Sequence, residues 1–213
     1  MTDADVTGLI EHGRDREAAV LGAAPTKGDH MDVLSQLDEL GPVLAGVVGG
    51  ISPADLDRPT PCAGFTVRGV LEHMLGGAAA FAAAFRGEQP PAPGDAAPPD
   101  DVLGSFGPAL TSLVDAIRSP GALERDVAAP FGEVPGMTFA RFVVLDGLVH
   151  GWDLATATGQ AYEPPDALVA EVTAFATEAL PPLRDGETFA EPTTPPASAS
   201  PIERLAALTG REV

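Results

Sequence analysis

A single cysteine, Cys62, stands in the 213-residue chain, so no internal disulfide can form and no Cys-x-x-Cys metal or redox pair exists. Lysine is almost missing: Lys27 stands alone beside 11 arginines. With 31 acidic residues against 12 basic ones, the formal net charge is −19 and the pI is near 4.3. Binding to nucleic acid by counterion release needs arrays of Lys and Arg on one face, so no nucleic-acid partner is expected. An anionic membrane surface would repel the chain, so no membrane partner is expected either. There is no run of about 18 apolar residues, which excludes a transmembrane helix. Met1 to Arg14 holds Asp3, Asp5 and Glu11 and lacks the basic start and apolar segment of a secretory signal, which points to a cytoplasmic protein. A Walker loop, a GxSxG elbow and a dinucleotide fingerprint are all absent.

What is there is a chain rich in Ala, Leu and Val, with hydrophobic residues at 45% and charged residues at 20%. That composition supports a packed core and argues against global disorder. Prolines and glycines punctuate it. Residues 1–30 are polar and read as an N-terminal extension with at most a short helical stretch around Leu9–Leu21, leaving 31–213 as one domain. From Met31, the spacing of Val33, Leu34, Leu37, Leu40, Val43, Leu44 and Val47 predicts a helix that Gly49–Gly50 ends. After a loop over 58–64, Thr66 is a fair N-cap for a second helix with the stripe Val67, Val70, Leu71, Met74, Ala78, Phe81 and Phe85. A Pro-rich linker, Gln89–Pro99, precedes a third helix over Asp100–Arg118. The stretch 121–137 has no clear period, and Val127 and Phe131 suit either an extended segment or a loop. A fourth helix starts near Thr138 and stops at Thr158-Gly159, a fifth fits Pro165–Leu180, and a short last one follows Ser200 through Leu208. The fold class is all-α, a four-helix bundle with additional C-terminal helices.

The fourth helix carries the chemistry. Taking Phe139 as zero, Asp146 falls at about 340°, His150 at about 20° and Asp153 at about 320°, all within the apolar stripe. A buried carboxylate is costly unless paired, hydrogen-bonded or bound to metal. Asp146 and His150, four apart, project an oxygen and a nitrogen from adjacent turns, a workable chelate for a divalent cation. The same pair also suits an Asp–His couple that only holds the core together. Asp153 is placed to accept a proton from the His150 nitrogen that does not face a metal, or to be an ordinary polar residue near the bundle mouth. His73, on the second helix beside Gly76, Gly77 and Ala80, sits where small neighbours let another helix approach closely. His12 and His30 lie in the extension and are poor candidates. Cys62, in a loop with no histidine close in sequence, reads as a small hydrophobe more readily than as a nucleophile.

Two blocks carry a family resemblance. Arg58-Pro59-Thr60-Pro61-Cys62-Ala63-Gly64-Phe65-Thr66-Val67-Arg68, followed by Leu71-Glu72-His73-Met74, resembles the TPC-G-W-TV-R…L-H opening of the mycothiol-dependent maleylpyruvate isomerase metal-binding domains, which belong to the DinB-like helical bundles. Asp146-Gly147-Leu148-Val149-His150-Gly151-Trp152-Asp153-Leu154-Ala155-Thr156-Ala157-Thr158-Gly159 is similar to that family's second element. The ending Ser200-Pro201-Ile202-Glu203-Arg204-Leu205-Ala206-Ala207-Leu208-Thr209-Gly210-Arg211 resembles one actinobacterial branch.

The resemblance implies a metal held by His73, Asp146 and His150, zinc first with nickel as an alternative, and mycothiol as cosubstrate. Many relatives carry Glu where this chain has Asp146, one methylene shorter, and Phe65 stands where Trp is common. Two histidines and one carboxylate leave coordination positions open, as in catalytic zinc sites. The implied partners are a small-molecule thiol and an electrophilic substrate, and the implied chemistry is thiol-dependent isomerisation or S-transfer. The alternative is a non-catalytic metal or small-molecule binding protein. Arg141, one turn before Asp146, is a candidate contact for an anionic substrate or a surface ion pair. The segments 89–99 and 121–137 are expected to flank the pocket.

Overall fold

Each helix begins and ends where local chemistry dictates. The computed structural model describes residues 31–89, 101–129, 132–184 and 189–213. Helix α1 spans Val33–Gly49, and the Asp32 carboxylate accepts from the backbone N–H groups of Leu34 and Ser35 at 3.1 Å each, satisfying donors that a helix start leaves orphaned. Helix α2, Val67–Arg86, is capped by Thr66, whose hydroxyl accepts from Gly69 N at 3.2 Å. It stops at Gly87, whose φ of +73° only glycine adopts freely. Helix α3 is Val102–Ile117, capped by Asp101. Helix α4, Gly136–Thr158, ends at Gly159 with φ +72°. Helix α5 is Asp166–Ala179. Helix α6, Pro201–Leu208, opens on a capping box in which Ser200 and Glu203 satisfy each other's backbone N–H groups.

The six helices fall within a few residues of the spans their apolar spacing predicts. The stretch without a period is a hairpin: β1, Asp126–Ala129, pairs antiparallel with β2, Gly132–Pro135. Val127 and Val134 face each other in register and are both buried. Four-residue strands with one inward residue apiece are too short for alternation to register, which is why no period shows. The N-terminal extension, where at most a short helical stretch around Leu9–Leu21 is expected, His12, His30, most of the Pro-rich linker and Phe131 lie outside the described residues. No helix among the described residues is long and apolar enough to cross a membrane.

Helix α4 is the central element. Sixteen of its residues are buried, and it packs against α1, α2, α5 and α6. The close helix approach expected at Gly76 and Gly77 occurs instead on α4. A Cβ at Gly76 would meet nothing within 4 Å, and one at Gly77 would meet only the ring of Phe81. A Cβ at Gly147 would stand 3.0 Å from Leu40 Cδ2 of α1. At Gly151 it would stand 2.9 Å from Leu44 Cδ2, and its nearest neighbour would be the Tyr162 hydroxyl. That hydroxyl donates to the Leu148 carbonyl at 2.9 Å. Gly151→Ala is therefore expected to displace Tyr162 and cost about 1–3 kcal/mol, the range for overpacking a filled core. Urea denaturation of the variant checks this, and an unchanged midpoint would show that Tyr162 yields freely.

Candidate metal centre

Three donors from two helices converge on one point. His73 comes from α2, and Asp146 and His150 come from successive turns of α4. The Asp146 Oδ1 lies 3.6 Å from His73 Nε2 and 3.4 Å from His150 Nε2, and all three donor atoms are within 4.8 Å of one another. The two imidazole rings meet edge to face with centroids 5.0 Å apart. These N–O separations are long for N–H···O hydrogen bonds. They match the edge of a tetrahedral site, about 3.3–3.4 Å between ligand atoms when the metal bonds are 2.0–2.1 Å. Asp146 thus reaches both histidines despite being one methylene shorter than glutamate. The donor set, two neutral-nitrogen ligands and a carboxylate, suits zinc or another first-row divalent ion.

The imidazole of His150 is held from behind. Its Nδ1 is 3.0 Å from Asp153 Oδ2, and Asp153 is fully buried. A hydrogen bond from Nδ1–H to that carboxylate leaves the Nε2 lone pair facing His73 and Asp146. Arg211, beyond α6, completes the arrangement. Its Nη2 donates to Asp153 Oδ2 at 3.0 Å and its Nε to Oδ1 at 3.4 Å, while Nη1 donates to Thr209 Oγ1 at 3.2 Å.

The charges answer to this geometry. Burial works against the Asp146 carboxylate, yet His150 and His73 outweigh it and hold its pKa well below the usual range. Burial also works against a charged His150, but Asp146 and Asp153 on either side push its pKa up to about 9. Burial pushes the Cys62 thiol up, with Asp153 and Asp146 adding to the shift against the opposing charge of Arg211.

The sequence model of the mycothiol maleylpyruvate isomerase N-terminal domain matches residues 37–155, more than half of the chain. The chain belongs to this family. Two relatives from Mycobacterium tuberculosis, the uncharacterized proteins MT0763 (strain CDC 1551 / Oshkosh) and Rv0738 (strain ATCC 25618 / H37Rv), are each 31% identical over 186 residues, covering 86% of this chain and 100% of theirs. Crystal structures of the mycothiol-dependent maleylpyruvate isomerase and of a histidine-to-alanine mutant of it superpose with a TM-score of 0.55 at 18% identity, covering 68% of this chain and 68% of theirs. At that identity the likeness establishes the fold alone, a helical bundle.

In this member of the maleylpyruvate isomerase-like family, the donors open onto a cavity of about 470 Å³. Three readings of the sequence change. Asp146 does not lie in a sealed apolar stripe: its side chain is 36% exposed and that of His73 44%, because the cavity replaces a packed helix over this part of α4. None of the described residues of segment 121–137 lines the cavity. Its described walls come from α2, α4, the loop at 61–65 and the C-terminal stretch 189–211. Arg141 is not a lining residue either; its guanidinium lies 4.5 Å above the Phe175 ring.

Two lining residues, Cys62, which the sequence reads as a small hydrophobe, and Arg211, were not assigned to the site from sequence. Cys62 offers its sulfur beside His150 and Asp153, because the loop folds back tightly: Phe65 N donates to the Cys62 carbonyl and Thr60 N to the Phe65 carbonyl, both at 3.0 Å. Gly64, with φ +83°, makes that turn. Arg211 arrives from 58 residues further along the chain than Asp153. Its signal was the C-terminal block that resembles a family branch.

A pH profile follows for the metal-free protein. The stabilisation due to His150 is fully present below its unfolded pKa of 6.5 and is lost as pH rises through about 9. That due to Asp146 is present above its unfolded pKa of 3.8 and is lost as pH falls below it. The pair should therefore stabilise the metal-free fold most between those two unfolded values. Metal binding runs the other way, since His150 must give up its proton. Apparent affinity should rise about tenfold per pH unit up to a pH of about 9. Competition with a chromophoric chelator across pH reads this directly, and a flat profile would refute it.

Proposed function

We propose that the chain is a metal- and mycothiol-dependent isomerase or S-transferase, with zinc as the metal and nickel able to take the same donors. The observation that carries the reading is the convergence of His73, Asp146 and His150 on one point at the wall of an open cavity. A divalent ion in that position would supply a Lewis acid that lowers the pKa of a thiol so that the thiolate forms near neutral pH.

The chain's own residues do the rest. His73, Asp146 and His150 hold the ion and leave room for further ligands. Asp153 accepts the Nδ1 proton of His150 and so orients Nε2 toward the site. Arg211 balances the buried Asp153 charge and closes the cavity wall. Phe65 packs edge to face on His73 with centroids 6.0 Å apart and braces that ring from one side. The thiolate sulfur would then add to a carbon–carbon double bond of an electrophile held in the cavity, and the π electrons would move to the adjacent, activated carbon. Rotation about the resulting single bond and expulsion of the thiolate would return an isomerised double bond, while protonation of that carbon by water would leave a thioether.

Cobalt-substituted protein tests the reading. Adding mycothiol should produce a near-ultraviolet sulfur-to-metal charge-transfer band, and turnover of simple electrophiles should depend on both thiol and metal. A bound metal with no response to the thiol would leave a non-catalytic metal-binding protein. Turnover that survives removal of the metal would refute the thiolate mechanism.

A further inference from the structure

The composition of the cavity restricts which electrophile it takes. Its volume of about 470 Å³ is that of a small-molecule site. Five phenylalanines line it, Phe65, Phe81, Phe139, Phe142 and Phe189, and Phe81 meets Phe139 edge to face with centroids 4.9 Å apart. An aromatic guest adds to such a cluster in the stacked and edge-on geometries that rings prefer.

Positive charge is scarce. Among the described residues Arg211 is the only lysine or arginine on the lining, and its guanidinium is already engaged twice by Asp153. With a divalent ion and one thiolate present, the charge of Asp146 brings the centre to neutrality. Among the described residues two further carboxylates would then find no free lysine or arginine on the lining to face them, which is unfavourable. The net charge of −19 repels dianions at longer range as well.

Resting on the thiol chemistry proposed above, we infer that the electrophile of this chain is an aromatic compound bearing no charge or one negative charge, and that a dicarboxylate such as maleylpyruvate is a poor substrate.

Calorimetric titration of the full chain, metal-free and then loaded with zinc and saturating mycothiol, with naphthalene methanol, naphthoate and naphthalene dicarboxylate compares one ring system carrying zero, one and two carboxylates. The first two should bind in both states, and the dicarboxylate should bind at least about tenfold more weakly. Phe65 and Phe189 sit at the partly exposed edge of the cavity, so the double variant Phe65→Ala/Phe189→Ala should keep the fold while weakening the neutral ring severalfold. Phe189→Arg should bring the dicarboxylate up to the affinity of the monoacid. Dicarboxylate binding as tight as that of the neutral ring, or no ring binding at all, overturns the inference. Zinc content of the same samples separates the two claims. Zinc bound with rings rejected sinks this inference alone. Rings bound with no zinc taken up sinks the thiol reading and, with it, the assignment of the ring as an electrophile.

Discussion

Replacing His150 by alanine should cost the protein its divalent ion. His150 supplies one of three protein donors, and it is the donor whose orientation is fixed most firmly, by the 3.0 Å contact to Asp153. Loss of an outer hydrogen-bonding partner of a metal ligand typically weakens affinity by about 10–100-fold, so loss of the ligand itself should exceed about 100-fold. Elemental analysis of wild-type protein purified without added metal should show about one equivalent, and of His150→Ala essentially none. The variant should still fold, since its neighbours Leu148, Leu154 and Ala155 remain fully buried in the core, and circular dichroism verifies that. Wild-type protein that retains no ion would leave an Asp–His couple that only stabilises the bundle. A variant that retains the ion as tightly as wild type would place it elsewhere.

Asp153→Asn should be the most destabilising polar change in the site. The carboxylate has no exposure, and the side chain of Arg211 has only 14%. Removing one partner of a buried pair leaves an uncompensated charge and costs about 3–5 kcal/mol. The same substitution removes the carboxylate behind His150, so metal affinity should fall by about 10–100-fold. The two effects separate in a double variant. Asp153→Asn/Arg211→Met removes the stranded guanidinium and should recover most of the stability while leaving the metal affinity low. Recovery of both would mean that Asp153 acts on the fold alone. Recovery of neither would mean that packing around the carboxylate, and not the stranded guanidinium, carries the loss of stability.

These expectations show where sequence reasoning reaches. The spacing of Val33 through Val47 and of Val67 through Phe85 predicts α1 and α2, because an apolar stripe can be buried only if the backbone repeats every 3.6 residues. Gly87 and Gly159 mark helix ends because the positive φ they adopt is open to glycine and closed to most others. The placement of Asp146, His150 and Asp153 on one face of α4 follows from helical periodicity alone. Within one helix, covalent geometry decides which side chains are neighbours, so that part of the site is legible.

Contacts between distant segments obey no such rule. Nothing in the spacing of α2 requires His73 to meet Asp146; the resemblance to a family supplied that partner, and the packing of α2 against α4 brings the two side chains to 3.6 Å. Cys62 and Arg211 approach His150 and Asp153 through a tight loop and a C-terminal return whose paths depend on the whole bundle. The hairpin 126–135 escaped because its strands are stabilised by pairing with each other and not by a pattern in either. Asp146 was expected in a sealed core and faces a cavity, because a stripe shows which residues turn away from solvent but not whether a helix or a void lies opposite. The sequence by itself determined the helices, their caps and the acid–histidine face of α4, since all of these are local. Only the tertiary structure decided what that face looks onto: a third donor, a buried arginine and an aromatic cavity.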